Sequence, residues 1–308
     1  MEVSNKTSPS IFILQGLSNV YYLKVICFIV FLMMYISTLS GNLLLIIVVR
    51  INPTLQAPMY FLLSHLSCID ICFSSTIVPK ILANTIAKDR SISLLGCAAH
   101  MYFSSALAAT ECIILSIMAY DRFAAICRPL HYSSIMNKTL CNVLVSGSST
   151  VCFSNSAIHV FLTFQLPFCR SHQVNHFFCE MPPFFLLSCK DTWLNEIAMY
   201  ISAGIIAMCS FFLTLISYIH IISTILKIHS LHGRHKAFST CASHLTVVAL
   251  YYGTIMFMYL RPRSTYSPET DKIVSILYTT VTPMLNPIIY SIRNADVKET
   301  IKKKLLRK

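Results

Sequence analysis

The stretch VICFIVFLMMYISTLSGNLLLIIVV, Val25–Val49, runs for 25 residues without Asp, Glu, Lys or Arg. A helix needs roughly 20 residues to cross about 30 Å of hydrocarbon, and this stretch has no charged face with which to lie on a soluble core. It reads as a membrane-spanning helix. Working outward, six further segments share its length and character: Ala57–Pro79, Ser91–Tyr120, Thr139–Phe168, Ile197–Leu226, Ala237–Leu260 and Ile273–Ile292. Five of the seven contain no Asp, Glu, Lys or Arg, and the other two carry one acid each, Asp70 and Glu111. The expected fold is therefore an all-α membrane protein, a seven-transmembrane helix bundle. A large soluble all-α core would instead require helices with a polar side. Composition agrees with the membrane reading: 55% of the 308 residues are hydrophobic and 12% charged, with a mean hydropathy of +0.65. The net charge of +12 does not point to nucleic acid, because Lys and Arg sit at the ends of apolar segments, where they meet lipid headgroups. The lipid bilayer is the expected partner.

The loops set an expected orientation, since Lys and Arg are retained on the cytoplasmic side. With the N-terminus outside, 14 of the 24 basic residues lie inside, among them Arg50, Arg122, Arg128, Lys138, Lys227, Arg234, Lys236 and Arg293. The chain then divides into an extracellular N-terminus (1–24), a seven-helix domain (25–292) and a cytoplasmic tail (293–308), with the protein in the plasma membrane. No cleavable leader is read, and the first helix is expected to act as its own insertion signal. Asn5-Lys6-Thr7 is a glycosylation acceptor on the correct side, whereas Asn137-Lys138-Thr139 has the same pattern but falls inside. In the tail, apolar residues at 292, 297, 301 and 305 suit a short basic amphipathic helix on the anionic inner leaflet; a disordered basic tail is the plainer alternative. Of 13 cysteines, Cys97, Cys169, Cys179 and Cys189 face the oxidising side, and the last three lie in a Pro-containing stretch from about Phe168 to Glu196 that reads as a cross-linked lid. Four cysteines permit three pairings. His176, Cys179 and Glu180 lie close in sequence, but a disulfide at Cys179 would remove its sulfur, so no metal site is expected.

Charges inside a membrane are costly and usually functional. Asp70 and Glu111, with Asn42 and Asn286, could form a polar cluster that holds a monovalent cation or a shared proton; hydrogen bonds that only join helices are the bland reading. In the third segment Ser104, Ala108, Glu111, Leu115, Met118 and Arg122 follow one helical face at steps of four and three. Ser104, Ser105, Ala108 and Ala109 leave room for a ligand near the outer end, although small residues also serve close helix packing. No catalytic residues are found: there is no nucleophile elbow, phosphate loop or metal-spaced His cluster, so the chain is not expected to be an enzyme. Duplicated halves, common in transporters, are also missing.

Met118-Ala119-Tyr120-Asp121-Arg122-Phe123-Ala124-Ala125-Ile126-Cys127 closely resembles the signature of olfactory receptors, a branch of the rhodopsin-like G-protein-coupled receptors. The likeness extends through Gly41-Asn42, Pro58-Met59-Tyr60-Phe61-Leu62-Leu63, Leu66-Ser67-Cys68-Ile69-Asp70, Ser217-Tyr218, the run from Lys236 to Leu245, and the run from Pro283 to Tyr290. The resemblance implies Cys97–Cys179 and Cys169–Cys189 disulfides. It also implies that Asp121 restrains Arg122 at rest, with Tyr218, His244 and Tyr290 as partners of Arg122 on activation. The implied function is binding of small, mainly apolar odorants and activation of a stimulatory olfactory heterotrimeric G protein that raises cyclic AMP. A non-olfactory receptor for a lipid or peptide is the alternative. By the same analogy the ligand lies between the third, fifth and sixth helices, at Ser104, Ser105, Ala108, Ser202, Ile206, Tyr252, Ile255 and Tyr259. That set contains no acid or base, which favours a ligand with at most one hydrogen-bonding group over an amine. The family signature usually has Tyr-Val after the Arg. Phe123-Ala124 departs from it, which bears on coupling strength.

Overall fold

The computed structural model describes residues 10–16, 20–52, 55, 57–169, 171–260 and 268–293. Among them, strand β1 (Ile11–Leu14) is followed by α1 (Tyr21–Ile51), α2 (Pro58–Ile86), β2 (Ser91–Ser93) and α3 (Leu94–Cys127). A short α4 (Tyr132–Ile135) leads into α5 (Lys138–Phe164), then come β3 (Gln173–Val174), the short α6 (Met181–Phe185), α7 (Trp193–Leu226) and α8 (Leu231–Leu260). The last spanning segment is composite: α9 (Pro268–Ile276), a π-helical turn (Leu277–Val281) and α10 (Thr282–Arg293). Five of the helical segments are long and apolar enough to cross a membrane by the usual measure of hydropathy. The 27 residues of α5 reach about 40 Å at 1.5 Å per residue, and α8 carries an apolar run over Cys241–Phe257. The architecture is an all-α membrane bundle. Asn5 and the tail from Asn294 lie outside the described residues.

The burial pattern inverts that of a soluble protein. Ile29, Met33, Leu43, Phe212 and Ile216 point outward and are about half exposed, while Asn42, Asp70, Glu111 and Asn286 are buried. Apolar side chains face the solvent that is lipid, and polar ones face one another.

Sequence chemistry explains the helix ends and breaks. Pro58 opens α2 at its first turn, where a missing N–H costs nothing. Ser93 caps α3 by accepting from the Gly96 N–H at 3.1 Å, and Asn137 caps α5 by accepting from Leu140 at 2.8 Å. In the seventh segment Pro283 cannot donate to the carbonyl four residues back, and the wider π turn precedes it; the Thr282 hydroxyl donates to the Leu277 carbonyl at 3.1 Å. Pro287 likewise cannot serve the carbonyl of Pro283. That carbonyl is taken by Asn42, whose Nδ2 donates to it at 3.1 Å from α1. Neighbouring Gly41 makes the approach possible, since a Cβ there would stand 2.9 Å from Cγ of Pro287. The Gly41-Asn42 pair is thus an answer to the two prolines of the last helix.

Sequence periodicity pointed only to helices, and the three strands were not anticipated. β1 lies between β2, antiparallel, and β3, parallel, with Ile11 opposite Ser93 and Ile13 opposite Gln173. Phe12 and Leu14 are buried and Ile11 and Ile13 exposed, a period of two. Phe12 packs edge-on against Phe168 and Phe184, with ring centres 5.5 and 4.9 Å away. Strand β1 is therefore part of the lid. The helices also overrun the expected boundaries: α1 begins at Tyr21, before Val25, and α3 continues past Tyr120 to Cys127.

Candidate functional site

The lid is held as the resemblance implied. Cys97 at the first turn of α3 is bonded to Cys179, and Cys169 to Cys189, with Cα separations of 5.6 and 5.8 Å. The first bond fixes Phe178, Glu180 and Met181 over the bundle.

Beneath that roof lies a cavity of about 160 Å³, walled by α2, α3, α5, α7, α8 and the lid. Ser104, Ser105, Ala108, Ser202, Ile206 and Ile255, all anticipated from the sequence, line it. Tyr252 does not. Its hydroxyl donates to the Cys112 carbonyl at 3.2 Å and its ring packs on Phe211. The adjacent Tyr251 forms the wall instead and donates to the Ala108 carbonyl. The two tyrosines point about 100° apart on the helix, so one residue of register decides which meets the ligand. The Tyr259 side chain lies outside the described residues.

The cavity is also less neutral than expected, because Glu111, Glu180 and His159 line it. Glu111 sits on the same face of α3 as Ser104 and Ala108, so its place was readable from the spacing. Glu180 follows a cysteine of the lid disulfide and is carried over the cavity with it. Nothing local marks His159, whose Nε2 lies 2.7 Å from the Ser202 hydroxyl across α5 and α7.

Glu180 accepts from Tyr278 at 3.3 Å and lies 3.8 Å from Nε2 of His176. Burial, opposed by the Tyr278 hydrogen bond and reinforced by Asp271, pushes the Glu180 carboxyl up to about 7. Burial and the charge of Lys272 push His176 down to about 3. A neutral imidazole cannot offset a carboxylate, so this contact is not an ion pair at neutral pH.

Deeper in the bundle the four expected polar residues divide. Asn286 donates to both oxygens of Asp70, at 3.2 and 3.0 Å. Asn42 turns to backbone, donating to Thr38 as well as Pro283. Glu111 borders the cavity and interacts with Asn286, while its Oε1 is buried without a hydrogen-bond partner among the described residues. Asp70, Glu111 and Asn286 therefore stand together, while Asn42 serves the backbone of α1 and α10.

At the other end of α3, Arg122 is buried and its Nε has no hydrogen-bond partner among the described residues. Asp121 accepts from the Tyr132 hydroxyl at 2.9 Å, which ties it to α4. Tyr218 and His244 are joined through Oη and Nδ1 at 2.7 Å, with rings stacked at 5.7 Å. His244 Nε2 meets the Leu115 carbonyl at 3.1 Å. A carbonyl only accepts, so in the neutral ring Nε2 carries the proton and the Tyr218 hydroxyl donates to Nδ1. Tyr290 is fully buried, and its hydroxyl has no hydrogen-bond partner among the described residues. Hence Tyr218 pairs with His244, Asp121 with Tyr132 of α4, and Arg122 and Tyr290 are buried beside them. Phe123 rests on His220 with ring centres 5.7 Å apart, and Ala124 is fully buried.

A lidded cavity between membrane helices, connected along the third helix to a buried Asp-Arg pair, is the arrangement of a rhodopsin-like G-protein-coupled receptor. Sequence comparison narrows the class. The olfactory receptor family model matches residues 31–308. The chain is 49% identical to olfactory receptor 5AP2 of Mus musculus over 299 residues, covering 97% of this chain and 94% of that one. It is 46% identical to olfactory receptor 5G3 of Homo sapiens over 308 residues (100% and 98%) and 48% identical to olfactory receptor 9G4 of Homo sapiens over 303 residues (98% and 93%). The chain belongs to the olfactory receptor family.

Proposed function

We propose that the chain is an odorant receptor of the plasma membrane, with its N-terminus and lid outside, that binds small, mainly apolar volatile molecules and activates a stimulatory heterotrimeric G protein to raise cyclic AMP. The observation that carries this is the linkage of cavity to α3: Tyr251 lines the cavity and donates to Ala108, and seven residues earlier in α8 His244 donates to Leu115. A ligand that moves the Tyr251 wall acts on the seam that holds α8 against α3 beside Arg122. Such a ligand shifts the equilibrium by the difference in its affinity for the two packings. The cavity volume suits a molecule of single-ring scale, since an engineered cavity of about 150 Å³ holds benzene. That volume argues against a peptide or a long lipid. Loop charge supports the orientation, the basic residues being concentrated at the Arg122 end. Cells carrying the chain and a stimulatory olfactory G protein should raise cyclic AMP to some members of a diverse volatile panel. The same cells with Arg122→Ala should be silent at matched surface display. Full signalling from that variant would remove the proposed switch, and silence of the displayed parent chain to the whole panel would remove the odorant reading.

A further inference from the structure

Most polar side chains around the cavity are already committed. Ser104 donates to Met101, Ser156 to Tyr102 and Tyr251 to Ala108. Ser202 meets both Met199 and His159, Glu180 receives Tyr278, and Glu111 stands with Asn286. Ser105 on α3 and Asn155 on α5 differ. Both line the cavity, both are half-buried and so keep accessible surface, and neither side chain has a hydrogen-bond partner among the described residues. They also belong together. The Ser156 hydroxyl joins α5 to α3 at the Tyr102 carbonyl, 2.8 Å away. These two helices are successive crossings and run antiparallel, so one residue back along α5 to Asn155 and three on along α3 to Ser105 lead to the same, deeper level. Ser105 shares the Tyr102 face by its spacing of three. An amide that faces an apolar space without a partner is costly, and the occupant of the cavity is placed to supply one.

We propose that the cavity selects compact apolar molecules bearing a carbonyl oxygen, which Asn155 and Ser105 hold between α5 and α3. The inference rests on the odorant-receptor reading. It moves the polar anchor from the fifth and sixth spanning helices, where the family likeness put most of the ligand contacts, to the fourth, which is α5. The pair has three protons to give, two on the Asn155 amide and one on the Ser105 hydroxyl, and a carbonyl oxygen has two lone pairs and no proton. A ketone or aldehyde therefore leaves only acceptor bonds behind in water and regains them from two helices, while its body fills the space toward Ala108, Ile206 and Ile255. An alcohol must find a new acceptor for its own proton as well. An alkene with CH2 in place of the oxygen has the same shape and leaves both side chains unpaired.

The test uses matched probes on the full-length receptor in cells, read as cyclic AMP: acetophenone, its methylene isostere α-methylstyrene and its alcohol 1-phenylethanol, then heptan-2-one, its isostere 2-methylhept-1-ene and its alcohol heptan-2-ol. In at least one series the ketone should act at a concentration roughly tenfold or more below the alkene, as one to two good hydrogen bonds imply, with the alcohol no more potent than the ketone. Asn155→Leu should bring the ketone to the potency of the alkene. Ser105→Ala, which removes a single hydroxyl, should narrow the gap by roughly threefold and serves as the test should Asn155→Leu fail to reach the surface. Equal potency of ketone and alkene, an alcohol more potent than its ketone in both series, or a gap that survives in displayed Asn155→Leu would overturn the assignment. So would an unchanged gap in Ser105→Ala where the Asn155 variant is not displayed. Activity from the wider volatile panel with no response to either ketone would also overturn it, while leaving the odorant reading in place. Silence of the displayed receptor to every compound counts against the odorant reading itself.

Discussion

At the scale of single residues, the chemistry of this chain is concentrated where a side chain meets a backbone that cannot satisfy itself. Gly41 is an example. Pro287 breaks the hydrogen-bond ladder of α10, Asn42 repairs it from α1, and only a residue without Cβ allows α1 that close, the built Cβ standing 2.9 Å from Pro287 Cγ. A proline ring has little freedom to yield, so Gly41→Ala should destabilise the receptor by about 1–3 kcal/mol, seen as a lower Tm of the purified protein; an unchanged Tm would show that α1 can withdraw at no cost. Glu180 yields a pH test. Its carboxyl sits near 7 in the fold against an ordinary 4.5. A raised folded pKa stabilises below the unfolded value, and that contribution is lost as pH rises through the folded one. The window is therefore 4.5 to about 7, across which His176, held near 3, stays neutral. The Tm of the receptor minus that of Glu180→Gln should fall on going from about pH 5 to about pH 8. A difference independent of pH would mean that the lid leaves this carboxyl as well solvated as a free one.

At the scale of elements, helices were legible because lipid demands a long uncharged run, and the same demand hid other features. Four residues, Ile11–Leu14, are too few and too uniformly apolar to announce a strand; its partners β2 and β3 lie some 80 and 160 residues on and are themselves short. The cavity stripe on α3 was readable, since Ser104, Ala108 and Glu111 share a face by spacing alone. On α8 spacing could not decide between Tyr251 and Tyr252, because both belong to an apolar helix with no charged face to fix its rotation. The seam between α8 and α3 followed only from coordinates: Tyr251, Tyr252 and His244 donate to the carbonyls of Ala108, Cys112 and Leu115. If activation parts α8 from α3, these bonds hold the resting packing. His244→Phe removes the bonds to Leu115 and Tyr218, each worth about 1 kcal/mol, and should raise basal cyclic AMP by roughly thirtyfold at most. Basal and agonist-driven signals identical to those of the parent at equal display would show that the seam persists in both states.

At the scale of the whole molecule, the bundle turns its apolar faces outward and its polar groups inward, so the membrane fixes the fold, and the distribution of Lys and Arg supports one of two orientations. Two acceptor patterns of the same form test that choice. Asn5-Lys6-Thr7 precedes the first spanning helix, and Asn137-Lys138-Thr139 follows the third, so an odd number of crossings separates them and both cannot face the same side. Asn137 also uses its side-chain oxygen to cap α5 at Leu140. With the N-terminus outside, Asn5 alone should carry a glycan: a glycosidase that removes N-linked sugars should lower the apparent mass of the parent chain, Asn5→Gln should show the lowered mass without treatment, and Asn137→Gln should behave as the parent. A mass shift that disappears in Asn137→Gln and persists in Asn5→Gln would invert the molecule. It would place the Arg122 end outside, where no G protein could reach it, and would undo the signalling proposal along with the orientation.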